Sequence, residues 1–458
     1  MEQIKTPSEA ALVLQVPRQP KFLSWEVWEP VIKLLVIFSG IGVIFAALKN
    51  DVLFNLDFQQ LLKVKSPFVR DVFILNSIIF IISLVLRTFL WFKYRPYDSR
   101  KIDQWPEVTV LVPSYNEGDT VYTTICSIAQ SDYPQGKMKI IAVDDGSKDD
   151  TFFHMERARA EYPGMVELIR FETNKGKRHG LYESFNKSVT PYVITIDSDT
   201  RLEPDSIKEL LTPLILDSSI GAVTGRIKIW NGDANLFTKI LKANFAMAFD
   251  FTRAIQSTFS TVFCTSGAFS AYRRSVLIPI IDIWLNQTFL KRPCTFGEDR
   301  SLANHILREG HGTVFQRTAI AFTKVPERFT KIIKMMTRWA RSNIRESFVF
   351  STLMFNKRRR GNYILPFLEF FFTTAIVITH LALFYYFLFS GFIDAEYIFR
   401  TIAYTVIFGF FYMLYYIRIE GRKDFPYIIA FSIFSTIFMI WIFTAAGFTI
   451  TRRGWSTR

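Results

Sequence analysis

Long apolar stretches lie at both ends of the chain, and a mostly polar stretch separates them. Near the N-terminus, residues 30–48 and 72–92 are each about 20 residues long, enough for a helix to cross a bilayer core of about 30 Å. Three more stretches follow, at residues 363–389, 402–417 and 426–448. The alternative is buried helices of a soluble protein, but a globular fold does not need five apolar helices this long. The pattern therefore predicts a polytopic membrane protein.

The polar stretch, residues 100–325, is typical of a soluble α/β domain. Short apolar runs that indicate buried strands alternate with helical stretches, as in a parallel sheet. Ligands of such sheets bind at the carboxyl ends of the strands, and polar side chains directly follow the first three predicted strands. The predicted strands are 108–112, 140–143, 192–196 and 222–223, and the predicted helices include 121–130 and 206–216.

Lysine and arginine near the membrane ends predict which side each segment faces, because cytoplasmic flanks are rich in these residues. They place the α/β domain and the N-terminus in the cytosol. If the last apolar stretch crossed the membrane, Arg452, Arg453 and Arg458 would lie outside, so we predict that this stretch is interfacial or re-entrant. The predicted segments are a cytosolic N-terminal segment (1–29), two transmembrane helices (30–95), the cytosolic domain (100–325), amphipathic interfacial helices (326–360), two transmembrane helices (361–418), the interfacial or re-entrant helix (424–448) and a C-terminal tail (449–458).

Composition narrows the class of protein. Half of the 458 residues are hydrophobic, and the charged fraction is 21%, below the approximately 25% that is usual in soluble domains. This composition excludes a disordered chain, a collagen-like fibre and a small disulfide-stabilised scaffold. Lys and Arg exceed Asp and Glu by 55 to 41, which suits anionic lipid or a phosphate-bearing substrate. Because the cations concentrate at membrane flanks and in one glycine-containing loop, we expect no nucleic acid partner. The three cysteines lack a C-x-x-C spacing and are expected to be reduced.

Two aspartates, Asp197 and Asp199, follow the third predicted strand. An extended chain places alternate side chains on one side, so the two carboxylates repel each other unless a cation lies between them. Mg²⁺ or Mn²⁺ suits such oxygen ligands, especially when the ion also holds a diphosphate. A pair of this kind standing alone is more often a solvated turn or a helix N-cap, so its interpretation depends on the neighbouring motifs.

Two further clusters also have a functional and a structural interpretation. Asp144 and Asp145 end the second predicted strand and can accept the imide N–H of a uracil, or they can form an Asx turn. Lys177 and Arg178 stand next to a glycine and can bind phosphate oxygens, or they can belong to a basic surface loop.

The last two clusters lie before and within a predicted amphipathic helix. Asp299, with Glu298 and Arg300 beside it, can act as the general base that takes a proton from an attacking hydroxyl, or it can be locked in a salt bridge. Arg338 and Trp339 belong to residues 329–350, where apolar and basic residues recur at helical spacing. Such a helix suits a membrane surface, and it could be an anchor without a catalytic part.

Taken in order, these clusters resemble the motifs of processive family 2 glycosyltransferases, which include hyaluronan, chitin and cellulose synthases. The resemblance spans residues 108–339, and five or more motifs in register are highly specific. It is strongest to the hyaluronan and chitin types, which implies N-acetylglucosamine as one substrate. The motifs are Ser-Tyr-Asn-Glu (114–117), Asp-Asp-Gly-Ser (144–147), Gly-Lys-Arg-His (176–179), Asp-Ser-Asp (197–199), Ser-Gly-Ala (266–268), Gly-Glu-Asp-Arg (297–300) and Arg-Trp (338–339).

The resemblance implies a GT-A fold, a UDP-sugar donor, Mg²⁺ or Mn²⁺, inversion, and a growing polysaccharide that crosses the plasma membrane. The donor-binding residues it implies are Tyr115, Glu117, Asp144, Asp145, Lys177, Arg178, Asp197 and Arg338. The implied metal ligands are Asp199 and Asp197, and the implied catalytic residues are Asp299, as the base, and Glu298. The implied acceptor-binding residues are Ser266, Gly267, Trp339 and Arg300, and the implied gating residues of the tail are Trp455, Thr457 and Arg458.

The sequence differs from the family pattern in two ways, and several other functions remain as alternatives. Met335 stands where the family has Gln, which puts acceptor contacts and sugar identity in question. Four crossings make a thin channel, so either the interfacial helices or a second subunit must complete it. The alternatives are a cellulose- or alginate-type synthase, a non-processive transferase acting on a polyprenyl phosphate, and a transporter or receptor that only senses nucleotide sugar.

Overall fold

The computed structural model of the chain describes residues 67–355, 363–390 and 409–452. Several predicted features lie outside these residues: the apolar stretch 30–48, the first part of the stretch 402–417, and the tail residues Trp455, Thr457 and Arg458.

An eight-stranded mixed sheet forms the centre of the soluble domain, in the order β3-β2-β1-β4-β7-β6-β10-β5, and β8 and β9 form a separate hairpin. All four predicted strands are present, and the fourth is longer than predicted. The strands are β1 (Val108–Ser114), β2 (Met138–Asp144), β3 (Val166–Arg170), β4 (Tyr192–Ile196), β5 (Thr200–Leu202), β6 (Ile220–Ile229), β7 (Phe269–Arg273), β8 (Thr288–Phe289), β9 (Arg292–Pro293) and β10 (Gly312–Thr323).

The central strand β1 shows why these sequences form buried strands. All seven of its residues are buried, and successive side chains point to opposite faces of the sheet. Val108, Val110 and Val112 enter one hydrophobic core, while Leu111 enters another on the opposite face. Helices cover both faces, which explains the continuous apolar run in the sequence.

The sheet is not purely parallel, contrary to the sequence prediction. β7 lies between β4 and β6 and runs antiparallel to both, and β5 pairs antiparallel with β10. The helices are α1 (Pro67–Lys93), α2 (Thr120–Ala129), α3 (Thr151–Glu161), α4 (Lys177–Lys187), α5 (Ser206–Leu216), α6 (Leu236–Ala246), α7 (Thr252–Ser257), α8 (Arg274–Leu277), α9 (Ile281–Leu285), α10 (Glu298–Arg308), α11 (Phe329–Leu353), α12 (Ile364–Ser390), α13 (409–420) and α14 (Pro426–Phe448).

Within the described ranges, three helices contain segments long and apolar enough to cross a membrane: Ile74–Lys93 in α1, Ile364–Tyr386 in α12 and Pro426–Phe448 in α14. The α14 segment is one continuous helix of 23 residues. Its length fits a crossing as well as an interfacial position, so the interfacial or re-entrant assignment stays a prediction.

The amphipathic helix α11 joins the soluble domain to the apolar helix α14. Its apolar face buries Ile332, Met335, Met336 and Ala340 in the same hydrophobic core as Phe434, Ile442 and Ala446 of α14. The predicted helix is therefore present, and part of its apolar face packs against another helix of the chain.

Candidate active site

One cavity of about 1480 Å³ extends from the carboxyl ends of β1, β2 and β4 to the side of α14. Topology explains its position, because parallel strands bring the polar residues that follow them to one edge of the sheet. Most of the predicted site residues line this cavity: Tyr115, Glu117, Asp145, Lys177, Asp197, Asp199, Ser266, Gly267, Glu298, Asp299, Arg300, Arg338 and Trp339.

Two predicted donor-binding residues do not line the cavity. Asp144 is fully buried, and its Oδ1 accepts a hydrogen bond from the Ser147 amide at 3.0 Å. Arg178 is also buried, and its guanidinium donates to the Trp284 carbonyl oxygen at 2.7 Å. The structure therefore does not bring either residue into the cavity: Asp144 shapes the turn after β2, Arg178 anchors α4 to α9, and their donor-binding roles stay predictions.

The end of the cavity near β1 and β2 is organised by carboxylates that accept hydrogen bonds from the protein. Asp145 accepts from the backbone amides of Lys175 and Gly176 at 2.7 and 2.8 Å. Burial nevertheless raises the pKa of Asp145. Glu117 accepts from the Ser198 hydroxyl at 2.7 Å. These contacts fix both carboxylates where a polar ligand can meet them.

A charge cluster occupies the middle of the cavity. The Lys177 ammonium forms ion pairs with Asp197 and, at 3.1 Å, with Glu298. Burial would raise the pKa of Glu298, but the attraction of Lys177 and Arg338 lowers it to about 2. A carboxylate this acidic is ionised at neutral pH and is a weak base, so Glu298 is better suited to holding Lys177 than to accepting a proton.

Asp199 is the second carboxylate of the predicted metal pair. Burial and the charge of Asp197 raise its pKa to about 6, and the Thr323 hydroxyl donates to it at 3.2 Å. A divalent cation would relieve this repulsion, so the pair fits a metal ion. No group of three His, Cys, Asp or Glu side chains placed to hold a metal occurs among the described residues. Asp197 and Asp199 would therefore leave most coordination positions to substrate phosphates and water.

Asp299 lies in the first turn of α10, at the edge of the cavity. Its Oδ1 accepts from the Arg300 amide at 2.8 Å, and its Oδ2 accepts from the Cys264 thiol at 3.3 Å. Burial and the charge of Asp299 raise the pKa of Cys264 to about 12, so the thiol remains protonated and can donate. Gly297, the residue that precedes the helix, adopts φ +72°, a conformation that L side chains rarely adopt.

A wall that sequence reasoning missed comes from α6, a π-turn at Met247–Phe251, and α7. Its lining residues recur about every four positions along the sequence. A regular helix has 3.6 residues per turn, so each interval of four residues would turn the next side chain about 40° further away from the cavity. The i→i+5 bonds of the π-turn restore the register. The lining residues are Asn244, Phe245, Ala248, Phe249, Thr252, Arg253 and Gln256.

This wall supplies aromatic rings beside Trp339. The ring centroids of Phe245 and Phe249 are each 6.0 Å from that of Trp339, and the Arg253 guanidinium lies over Phe249 at 4.3 Å. Sugar rings commonly bind to such apolar ring faces. No short motif marks these residues; the four-residue repeat was the available signal.

On the other side of the π-turn, buried Asp250 fixes its position. Its carboxylate pairs with Arg317 at 2.6 Å and with Arg226 at 3.2 Å, and Arg226 also reaches Glu420 at the end of α13 at 2.7 Å. The wall of the cavity is thus tied both to the sheet and to α13.

Comparisons with known proteins agree with this geometry. The family model described as Glycosyltransferase like family 2 matches residues 106–342. The chain is 35% identical over 278 residues to a hyaluronan synthase of Streptococcus pyogenes, covering 60% of this chain and 65% of the relative. It is 32% identical over 251 residues to an N-acetylglucosaminyltransferase of Azorhizobium caulinodans, covering 55% of this chain and 63% of the relative. The matched region therefore spans less than two thirds of either relative.

A solved structure shows the same fold. A mannosyltransferase from Pyrobaculum calidifontis, in complex with GDP-Man and Mn²⁺, superposes with a TM-score of 0.57 at 18% sequence identity, covering 83% of this chain and 97% of that chain. This likeness confirms the predicted GT-A fold. Because the family model matches more than half of the 458 residues, the chain belongs to glycosyltransferase family 2.

Proposed function

We propose that the protein is a processive glycosyltransferase of the membrane, which polymerises UDP-activated sugars with inversion and passes the polymer outward. N-acetylglucosamine is expected to be one of the sugars. The observation that carries this proposal is the single cavity that joins the carboxylates of Asp197, Asp199 and Asp299 to Trp339 and then to α14. A transferase that released each product into water would not need this continuous path. The names of the two relatives support the choice of a polysaccharide synthase.

The donor would bind at the end of the cavity lined by Tyr115 and Asp145, with its diphosphate near Lys177 and Arg338. Asp199 and Asp197 would hold Mg²⁺ or Mn²⁺, which neutralises charge on the departing diphosphate. The Mn²⁺ in the mannosyltransferase complex supports a divalent ion. Burial lowers the pKa of Arg338, and an anionic diphosphate would stabilise its charged form.

The acceptor would lie on Trp339, with one hydroxyl directed at Asp299. Asp299 removes the proton of that hydroxyl as its oxygen attacks the anomeric carbon from the face opposite UDP. The bond from the anomeric carbon to the phosphate oxygen breaks, and UDP leaves with the bonding electrons. The Cys264 thiol and the Arg300 amide hold Asp299 in place, which matters because the reacting atoms must meet in line.

The polymer would leave along α14, since Phe431, Ser435, Met439 and Phe443 of that helix line the far end of the cavity. Met335, which replaces the glutamine of the family motif, lines the same region and is buried in the core shared with α14. The apolar helices and the charge pattern support a location in the plasma membrane, with the catalytic domain in the cytosol.

Purified protein given Mn²⁺ or Mg²⁺ and UDP-sugars, singly and in pairs, tests the proposal. We expect UDP release together with a long polymer, which hyaluronan-, chitin- and cellulose-degrading enzymes would classify. Short lipid-linked products would indicate the polyprenyl phosphate alternative. UDP-sugar binding without UDP release would indicate a sensor and would refute the transferase proposal.

Removal of the divalent ion is expected to lower the transfer rate by about 10²–10³-fold, because an ion of this kind contributes several kcal/mol of charge stabilisation. The measurement is UDP release in EDTA, followed by addition of Mn²⁺ or Mg²⁺ in excess. Asp199→Asn should show the same loss without recovery on metal addition. Full activity in EDTA would exclude the metal role of this pair.

A substitution at Gly267 tests the charge cluster. A Cβ atom at this position would lie 2.7 Å from the Lys177 ammonium, so Gly267→Ala should displace Lys177 from Asp197 and Glu298. Because the ammonium is the end of a flexible side chain and can move aside, we expect the rate of UDP release to fall by less than the roughly 10²-fold effect of losing one preorganised donor. Gly447→Ala is the control, since Gly447 does not line the cavity and its Cβ would meet nothing within 4 Å. Equal rates for the two variants would contradict the assigned role of Lys177.

A further inference from the structure

The hairpin formed by β8 and β9 has an unusual tip. Leu290 and Lys291 connect its strands, and both have positive φ angles, +49° and +61°. Large side chains rarely adopt this conformation, and two-residue turns of this kind normally contain glycine or asparagine. The Leu290 side chain is 67% exposed. The turn therefore presents a leucine outward at a conformational cost, and no recorded contact among the described residues accounts for it.

The hairpin tip is the end of a longer exposed apolar strip. Phe289 contacts Phe348 of α11, with ring centroids 6.3 Å apart, and Phe348 is 61% exposed. Seven residues after Phe348 and just beyond the end of α11, Phe355 is 70% exposed, and its ring centroid lies 5.9 Å from that of Phe367 of α12. Phe367 stacks on Phe371. Exposed apolar rings at Phe348 and Phe355 thus lie between the hairpin and α12, a helix long and apolar enough to cross a membrane.

Charge accompanies the apolar tip. Lys291 and Arg292 are both exposed and stand next to Leu290. An apolar side chain between cations matches a bilayer surface, where the apolar group enters the acyl boundary and the cations meet anionic headgroups. A protein partner would have to compete for this strip with the bilayer that surrounds the start of α12.

We propose that the β8–β9 hairpin docks on the cytosolic bilayer surface, with Leu290 inserted and with Lys291 and Arg292 bound to anionic lipid headgroups. The segment after the hairpin leads directly to Gly297 and Asp299. Docking would therefore also restrain the segment that precedes the proposed base, Asp299. The inference does not rest on sugar transfer, and it can be tested without any substrate.

The test uses the full chain in phosphatidylcholine nanodiscs, with or without phosphatidylglycerol. Leu290→Cys is labelled with an environment-sensitive fluorophore, and unsubstituted protein corrects for Cys126, Cys264 and Cys294. We expect the label at position 290 to shift to the blue and to be quenched by nitroxide-labelled lipid. Val189→Cys is the matched control, because Val189 is 77% exposed but precedes β4 at the end of the sheet opposite the cavity. A label at position 290 that is as accessible to water as the one at position 189 would overturn the proposal.

A charge reversal tests the lipid chemistry. Lys291→Glu with Arg292→Glu, in the labelled Leu290→Cys chain, should reduce the docked-to-undocked ratio in phosphatidylglycerol by at least about thirtyfold, because each cation near an anionic surface contributes about fivefold and both are lost. The same change should have little effect in phosphatidylcholine alone. An equal loss in both lipids, or no loss in either, would contradict the headgroup contact.

Discussion

Replacing Asp299 by asparagine is expected to lower the rate of sugar transfer by about 10²–10⁴-fold, the usual contribution of a general base. Asparagine has the same shape, so the contact with the Arg300 amide can persist, but its amide cannot take the proton of the acceptor hydroxyl. UDP release measures the rate, and calorimetry measures UDP affinity. We expect the affinity to change little, because Lys177 and Arg338 would hold the diphosphate.

A surface aspartate provides the control for this experiment. Asp282 accepts a hydrogen bond from the Tyr182 hydroxyl at 2.8 Å on the exposed side of α9, away from the cavity. Asp282→Asn should therefore leave the rate of UDP release within about twofold of the natural protein. Polymer synthesis by Asp299→Asn at the rate of this control would remove Asp299 from the proposed mechanism.

Replacing Gly297 by alanine is expected to damage both stability and activity. Gly297 has φ +72°, and a Cβ there would lie 2.0 Å from the Ser342 hydroxyl oxygen and 2.8 Å from the Arg345 guanidinium. Either α10 or α11 must therefore move. We expect a loss of at least about 2 kcal/mol in the free energy of unfolding, from the left-handed backbone and overpacking together. The rate should fall by about 10²-fold, because a shift of about 1 Å misplaces Asp299.

Two further variants separate the backbone strain of the positive φ angle from the steric clash of the added Cβ atom at position 297. Gly164 also has a positive φ, +78°, but its Cβ would meet nothing within 4 Å, so Gly164→Ala measures the backbone cost alone. Adding Ser342→Gly to Gly297→Ala removes the two nearest clashing atoms and should recover part of the melting temperature and the rate. If Gly297→Ala is as mild as Gly164→Ala, the packing of α10 against α11 does not position the base.

Most of the motif residues predicted from the sequence line one cavity, but the sequence could not resolve the direction in which neighbouring side chains point. Lys177 and Arg178 are adjacent at the start of α4, and adjacent residues on a helix point about 100° apart. Only Lys177 can face the cavity, and Arg178 turns into the core. Asp144 and Asp145 differ for a similar reason, because successive residues at a strand end point to opposite sides.

The sequence predicted those parts of the fold that leave a local pattern of apolar and polar residues. The strand that ends at Asp144 and the helix that contains Trp339 follow from periodicity and from polar residues at strand ends. The antiparallel insertion of β7 does not, because pairing partners far apart in sequence leave no local pattern. The aromatic wall around Phe249 was missed because its four-residue repeat fits neither a regular helix nor a strand.

The shared core of α11 and α14 means that the α/β domain and the apolar helix α14 are packed as one unit, and that α14 is not a detachable anchor. A fragment that ends after Leu353 would lose the part of the core that α14 contributes around Ile332, Met336 and Ala340, and it would lose the far wall of the cavity. Such a truncation should be recovered as aggregates or only in detergent, because uncovered apolar patches of this kind drive self-association. Engineering of this protein therefore has to keep α14 together with the α/β domain.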